Sequence, residues 1–296
     1  MVTESYRSGV IRYITERRCP DGGFCFYRLN EPNTADTFYA VSSLSLIGEH
    51  FSDDVTVSWL LELQQDDGSY PTLYIGYYVL KSLATVGVRP RIVPDTWIGS
   101  INPLPETGER PSESGSYFEA SYLFSDLART CGIPVPEAIK SRIIRNITSH
   151  RLPDFGFGLH QSTLTETWHA LAILSSIGFD YKTLGSDRFL TRCEDAELGF
   201  RINPSSRSSF LEHLHAGITI ASLLGYSSRV FPRCRQIILE LQAGNGGFVR
   251  SRFGGSTTLE YTFLAVSSLE LLDSMADPAG REEFSPKGSR ATMEVR

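Results

Sequence analysis

Apolar positions along this chain recur at helical spacing, in two kinds of segment that alternate. One kind is apolar on more than one side. Phe38, Val41, Leu44 and Leu46, or Trp168, Leu171, Leu174 and Ile177, fall close to the i, i+3, i+4, i+7 pattern, and Ala, Ser and Gly occupy much of the surface between them. A helix of that composition suits burial on several sides. The other kind, over 9–17, 55–64, 136–149 and 232–242, is amphipathic and more charged, which directs one face outward. Inner helices alternating with outer helices are therefore the expected elements.

The alternation is a repeat. The segment PDGGFCFYRLNEPNTADTFYAVSSLSLIG over 20–48 reads nearly like GNGGFVRSRFGGSTTLEYTFLAVSSLELLD over 244–273. Both carry Gly-Gly-Phe, an Arg at the same offset (Arg28, Arg252), a Thr-Phe pair and the run Ala-Val-Ser-Ser-Leu. Weaker copies close at Gly87, Gly132, Gly178 and Gly225, which makes six units at a spacing of about 45 residues, the range of helical-pair repeats. A pair that buries only part of its apolar face needs neighbours on both sides. The first and last units match best and neither has the polar outer face of a cap, so closure into a ring is favoured over an open solenoid. The expected fold is all-α: six helical hairpins closed into an α6/α6 toroid.

Two stretches break the pattern. The Pro/Gly/Ser-rich span 89–116 follows a short helical piece and reads as an irregular loop. Periodicity is also lost at the C-terminal end, which predicts a single toroid domain over 1–275 and a disordered tail over 276–296. The 296 residues carry a net charge of −6 with the two signs interspersed, so no basic stripe is available for nucleic acid. No apolar run approaches the roughly 18 residues of a transmembrane helix, and the start lacks the charge-then-apolar order of a leader. A cytoplasmic protein is expected. The five scattered cysteines contain no C-x-x-C pair, so reduced thiols are the default.

The Gly-Gly-Phe turn, the Asp/Thr-aromatic that follows it and the small-residue helix closing on Leu-Gly resemble the repeats of the protein prenyltransferase β subunit and squalene cyclase superfamily, over nearly the whole chain to about Asp273. The resemblance implies an α/α toroid whose central cavity accepts an isoprenoid chain. It also implies either of two active sites, and neither is intact. Prenyltransferases hold zinc with an Asp-x-Cys pair and a His. Counting back twelve residues from each closing mark puts His213 at the place of that His, but Ser162 and Leu164 at the places of the Asp and Cys. Cyclases protonate with the middle Asp of Asp-x-Asp-Asp-Thr, whereas here Asn33 to Thr37 reads NTADT, keeping Asp36 and Thr37 only.

The same register places Asp36, Glu166, His213 and Tyr261 at equivalent sites, with Glu119, Glu212 and Glu260 one residue away. Asp36, Glu166 and His213 are the catalytic candidates. Asp36 is an acid if an apolar funnel raises its pKa, or simply a helix cap. Glu166 and His169 share a helical face, so with His213 they are the candidates for a zinc site; otherwise His169 packs beside Trp168 and Glu166 is bonded at a helix N-terminus. Arg28, Arg201, Arg207, Arg250 and Arg252 sit in turns where they either grip a diphosphate or are plain surface residues. Tyr39, Tyr77, Tyr78, Trp168 and Phe263 are the expected wall of the funnel.

The leading expectation is thus an isoprenoid-handling enzyme of prenyltransferase-like or terpene-cyclase-like type, binding a prenyl diphosphate or polyprenyl chain, with a non-standard site. The alternatives are a non-catalytic toroid paired with a helical-repeat partner subunit, and a glycan-processing α/α barrel that uses Asp36 and Glu166 as its carboxylate pair.

Overall fold

The computed structural model describes residues 2–27, 31–51, 53–104 and 116–277. Among these residues the chain forms twelve α-helices, in six outer-inner pairs. The outer helices are α1 (Val2–Thr15), α3 (Asp54–Glu62), α5 (Asp95–Ser100), α7 (Glu137–Ser149), α9 (Asp187–Cys193) and α11 (Phe231–Glu240). The inner helices are α2 (Thr34–Leu46), α4 (Leu73–Thr85), α6 (Glu119–Thr130), α8 (Leu164–Ser176), α10 (Leu211–Leu224) and α12 (Leu259–Ala276). Each inner helix packs on the next, and α12 packs back on α2, so the toroid is closed. None of these helices is long and apolar enough to cross a membrane. Arg28 and the segment 278–296 lie outside the described residues.

The Gly-Gly-Phe turn is the joint between outer and inner helix. Phe24, Phe157, Phe200 and Phe248 are fully buried. Three of them form antiparallel bridges in both directions: Arg18 to Phe24 to Asn33, Arg151 to Phe157 to Thr163, and Gln242 to Phe248 to Thr258. The fourth pairs through a two-residue ladder between β1 (Glu194–Asp195) and β2 (Gly199–Phe200). A threonine one turn into the inner helix fastens each bridge. Thr37 accepts the Phe24 N–H at 3.0 Å, Thr167 that of Phe157 at 3.0 Å and Thr262 that of Phe248 at 3.3 Å.

Four of the six inner helices begin at a side-chain cap, and five are followed by a glycine. The side chains of Asn33, Thr72, Thr163 and Thr258 accept N–H groups of the first turn, which satisfies donors that have no intrahelical partner. Asn33, not Asp36, is the cap of α2. Gly48, Gly87, Gly132, Gly178 and Gly225 follow the helices at φ between 67° and 80°, a conformation open to residues without a Cβ. The sixth unit carries Asp273 at that place, and α12 runs on to Ala276.

Where the sequence led us to expect only an irregular loop, α5 stands as the third outer helix. Trp97 of α5 lies against Tyr70 at 5.2 Å between ring centroids, over Gly76, where a Cβ would come within 2.1 Å of the indole. The ring closes at a seam between α1 and the last unit. Tyr6 donates to Glu270 at 2.8 Å, Arg7 to the same oxygen at 2.7 Å, and Gln242 to the Tyr6 carbonyl at 2.9 Å. Gly246, at φ 93°, approaches α1 so closely that a Cβ would stand 2.0 Å from the Gly9 oxygen.

Candidate functional site

Ten residues before each closing mark, every inner helix presents an aromatic ring to the axis: Phe38, Tyr77, Tyr122, Trp168, His215 and Phe263. These rings form one circuit. Phe263 meets Phe38 at 5.4 Å between centroids, and Phe38 meets Tyr77 at 6.2 Å. Tyr122 meets Trp168 at 5.5 Å, Trp168 meets His215 at 5.1 Å, and His215 meets Phe263 at 6.5 Å. Tyr77 and Tyr122 complete the loop through their polar ends, beside Asp126, which accepts the Tyr77 hydroxyl at 3.0 Å. Tyr122, Trp168 and Phe263 are only half-buried although they sit on inner helices, so their rings border open space.

The adjoining position thickens this girdle. Tyr39 and Tyr78 place their hydroxyls 3.2 Å apart, and His169 stacks on Tyr122 at 4.5 Å and 8° between planes. Burial drives both histidines neutral. The His169 pKa is pushed down to about 3, with His215 adding to the effect, and that of His215 to about 4. His215 also contacts the Ser268 hydroxyl at 3.2 Å.

Above the girdle, where the inner helices begin, the mouth is acidic. Burial raises the Glu260 carboxyl pKa, and Glu212, Asp36 and Glu119 raise it further. Glu119 is on α6, opposite α12 in the ring, so the rim carboxyls sense one another across the opening. Burial also raises Asp36, against the lowering effects of the Phe26 N–H that it accepts at 2.9 Å and of Arg17. His213 has its pKa lowered by burial; its Nδ1 accepts the Phe210 N–H at 3.2 Å, which leaves the ring proton on Nε2. Glu166 is buried at the start of α8, accepting the Thr163 hydroxyl at 3.0 Å while that N-cap threonine accepts the Glu166 N–H at 3.1 Å.

Several sequence expectations are corrected by this geometry. Among the described residues no group of three or more His, Cys, Asp or Glu side chains is placed to hold a metal ion, so Glu166, His169 and His213 do not assemble a zinc site. His169 is in the aromatic wall, and Glu166 and His213 are turned to their own helix starts. The residues at the family's remaining zinc positions do not fit the metal: Ser162 donates to Asp154 and Leu164 is fully buried. Asp36 and Glu166, the glycan-processing pair, stand on α2 and α8, on opposite sides of the ring. The arginines are already engaged. Arg250 pairs with Glu212 at 2.6 Å and lies over the Phe210 ring, Arg252 pairs with Glu240, and Arg201 donates to the carbonyls of Pro204 and Ser206. Arg207 lines a groove with Phe210 and the exposed Phe253, outside the girdle.

Tyr39, Tyr77, Tyr78, Trp168 and Phe263 do line the interior, and Tyr261 sits half-buried at the mouth. Sequence reasoning missed Phe38, Tyr122 and His215 as members of the girdle. The signal was present: counting back ten residues from each closing mark, instead of twelve, returns all six rings.

Fold and interior together define a closed α/α toroid with an aromatic girdle beneath an acidic mouth. A family model for the prenyltransferase alpha-alpha toroid domain matches residues 1–89 and 117–290, and the chain belongs to that family. The match omits 90–116, nearly the span whose composition breaks the repeat. No curated protein sequence matches the chain significantly. Among solved structures it is similar to Candida albicans protein geranylgeranyltransferase-I complexed with GGPP, at 13% identity and TM-score 0.62, covering 81% of this chain and 84% of that one. It is also similar to a substituted form of the type II terpene cyclase MstE from Scytonema in complex with geranylgeranyl dihydroxybenzoate. There the identity is 11% and the TM-score 0.56, covering 93% of this chain and 97% of that one. At such identities the likeness is one of fold.

Proposed function

We propose that this toroid is an isoprenoid-handling enzyme that takes a polyprenyl chain into its aromatic hollow and acts on it by carboxylic acid chemistry, with Asp36 as the proton donor. The reading is carried by the continuous ring circuit, one residue from each inner helix, lying directly beneath carboxyls whose pKa values are raised. Aromatic faces favour a cation by about 0.5–2 kcal/mol each, and among the described residues the one cation over a girdle ring is Lys81, 6.0 Å from the Tyr77 centroid and itself paired with Asp126. The protonated Asp36 would give its hydrogen to an alkene carbon, forming a C–H bond and leaving positive charge on the neighbouring carbon, within reach of the rings. Loss of a proton from an adjacent C–H bond then makes a new C=C bond, and the proton is returned to the carboxylate. Isoprenoid ligands in the two similar structures support the substrate class. The pairing of Arg250 and Arg252 with carboxylates favours this acid route over capture of a diphosphate head.

The test is binding followed by turnover. Thermal shift with a C20 prenyl alcohol should raise the melting temperature, and product analysis by mass spectrometry should show isomerised or cyclised material. Asp36→Asn should retain binding and lose turnover by at least about a hundredfold. No stabilisation at millimolar ligand rejects the reading, and binding without any product leaves a non-catalytic partner subunit as the better account.

A further inference from the structure

One helical turn below the girdle, three hydroxyls are buried without a hydrogen-bond partner: Ser42 Oγ, Ser125 Oγ and Thr219 Oγ1. Ser42 follows Phe38 by four residues, Thr219 follows His215 by four, and Ser125 follows Tyr122 by three. All three therefore share the axial face of their helices. They come from α2, α6 and α10, alternate members of the ring. A fourth unpaired atom, His169 Nδ1, belongs to the girdle above, on a side chain that is 7% exposed.

These atoms are unusual for this fold. Several other inner-helix hydroxyls return to the carbonyl four residues back, among them Ser43 to Tyr39 at 2.6 Å, Ser82 to Tyr78 at 2.7 Å, Thr130 to Asp126 at 2.8 Å and Ser268 to Leu264 at 2.7 Å. The remaining polar groups of the layer satisfy one another, with Asp126 held by Lys81 at 2.9 Å and Arg129 at 2.5 Å. A wall meant only to hold hydrocarbon is better built from Ala or Val, because a buried hydroxyl without a partner is costly.

We propose that Ser42, Ser125 and Thr219 form a floor that recognises an oxygen function on the leading end of the ligand, so that the substrate is an uncharged, oxygen-bearing isoprenoid. A hydroxyl, epoxide or carbonyl oxygen satisfies these atoms, and a neutral group suits a layer whose own charges are already paired. The proposal rests on the isoprenoid reading and narrows it.

The full chain is titrated calorimetrically with two probes, a C20 prenyl alcohol and the C20 hydrocarbon that has hydrogen in place of the hydroxyl. The alcohol should bind at least about tenfold more tightly. In a triple variant, Ser42→Ala, Ser125→Ala, Thr219→Val, that preference should disappear while hydrocarbon affinity is kept and the melting temperature of the free protein holds or rises. Equal affinities in the unaltered chain would overturn the floor but leave the isoprenoid reading standing. So would a preference that survives the triple substitution, or a fall in the variant's melting temperature, which would mean that the hydroxyls are satisfied in solution. Binding of neither probe removes both.

Discussion

At the scale of single residues, small polar groups fix the aromatic ones. Thr167 holds the Phe157 turn by accepting its N–H while Phe157 itself is fully buried. Thr167→Val keeps the shape and removes the acceptor, so a buried N–H loses its partner, at a cost of about 1–3 kcal/mol. Urea denaturation should show a lower midpoint with an unchanged slope; an unaltered midpoint would deny the threonine this role. The girdle histidines make a second prediction. Both have folded-state pKa values below the ordinary 6.5, so the unfolded chain binds more protons between about 3 and 6.5, and stability rises with pH through that window. The contribution is complete above pH 6.5 and is lost as pH falls through about 4 for His215 and about 3 for His169. His169→Phe keeps a ring against Tyr122 without the titration. Its melting temperature should therefore fall less than that of the unaltered protein between pH 7 and pH 4, and parallel curves would contradict the assignment.

At the scale of elements, closure depends on contacts that join α1 to α12 across the seam. Glu270 accepts from the buried Tyr6 hydroxyl and from Arg7. Glu270→Ala should cost about 1–3 kcal/mol in chemical denaturation, because the Tyr6 hydroxyl loses its acceptor. Glu137→Ala breaks an outer-helix pair in which the glutamate is 82% exposed, and should cost under about 1 kcal/mol. Comparable losses would mean that the seam is no stronger than the surface. The elements themselves were unevenly legible in the sequence. Inner helices announced themselves through closing glycines and a period sustained over 12 to 18 residues. The outer helices α5 and α9 have six and seven residues, too few turns for a period to emerge, and their places are set by packing, as Trp97 over Gly76 shows. The site was legible at the mouth, where charged residues stand out, and less so below it. Phe38, Tyr122 and His215 look like ordinary core until the ring brings all six positions to one level, and the unpaired state of Ser42, Ser125 and Thr219 exists only in three dimensions.

At the scale of the whole molecule, polarity changes in layers along the axis: carboxyls at the rim, aromatic rings beneath, hydroxyls below those. A single unit can carry all three kinds of residue, as α2 does with Asp36, Phe38 and Ser42, but each contributes only one ring to the girdle, and the level exists only when the ring is shut. Function and closure are consequently inseparable, and a variant that opens the seam should lose ligand binding even with every wall residue intact.

The seam has one more consequence. Because α1 lies against the last unit, the first and last helices are neighbours, and the joint between them is held by side chains, whereas the chain itself runs through the other joints. A circular permutant that joins Ala276 to the start of α1 by a flexible peptide and is cut instead between Gly132 and Glu137 should therefore fold to the same circle. Its helical circular dichroism should match that of the parent, and so should its affinity for the prenyl alcohol. On this view the order in which the six units are translated is incidental, and what the protein specifies is a cycle.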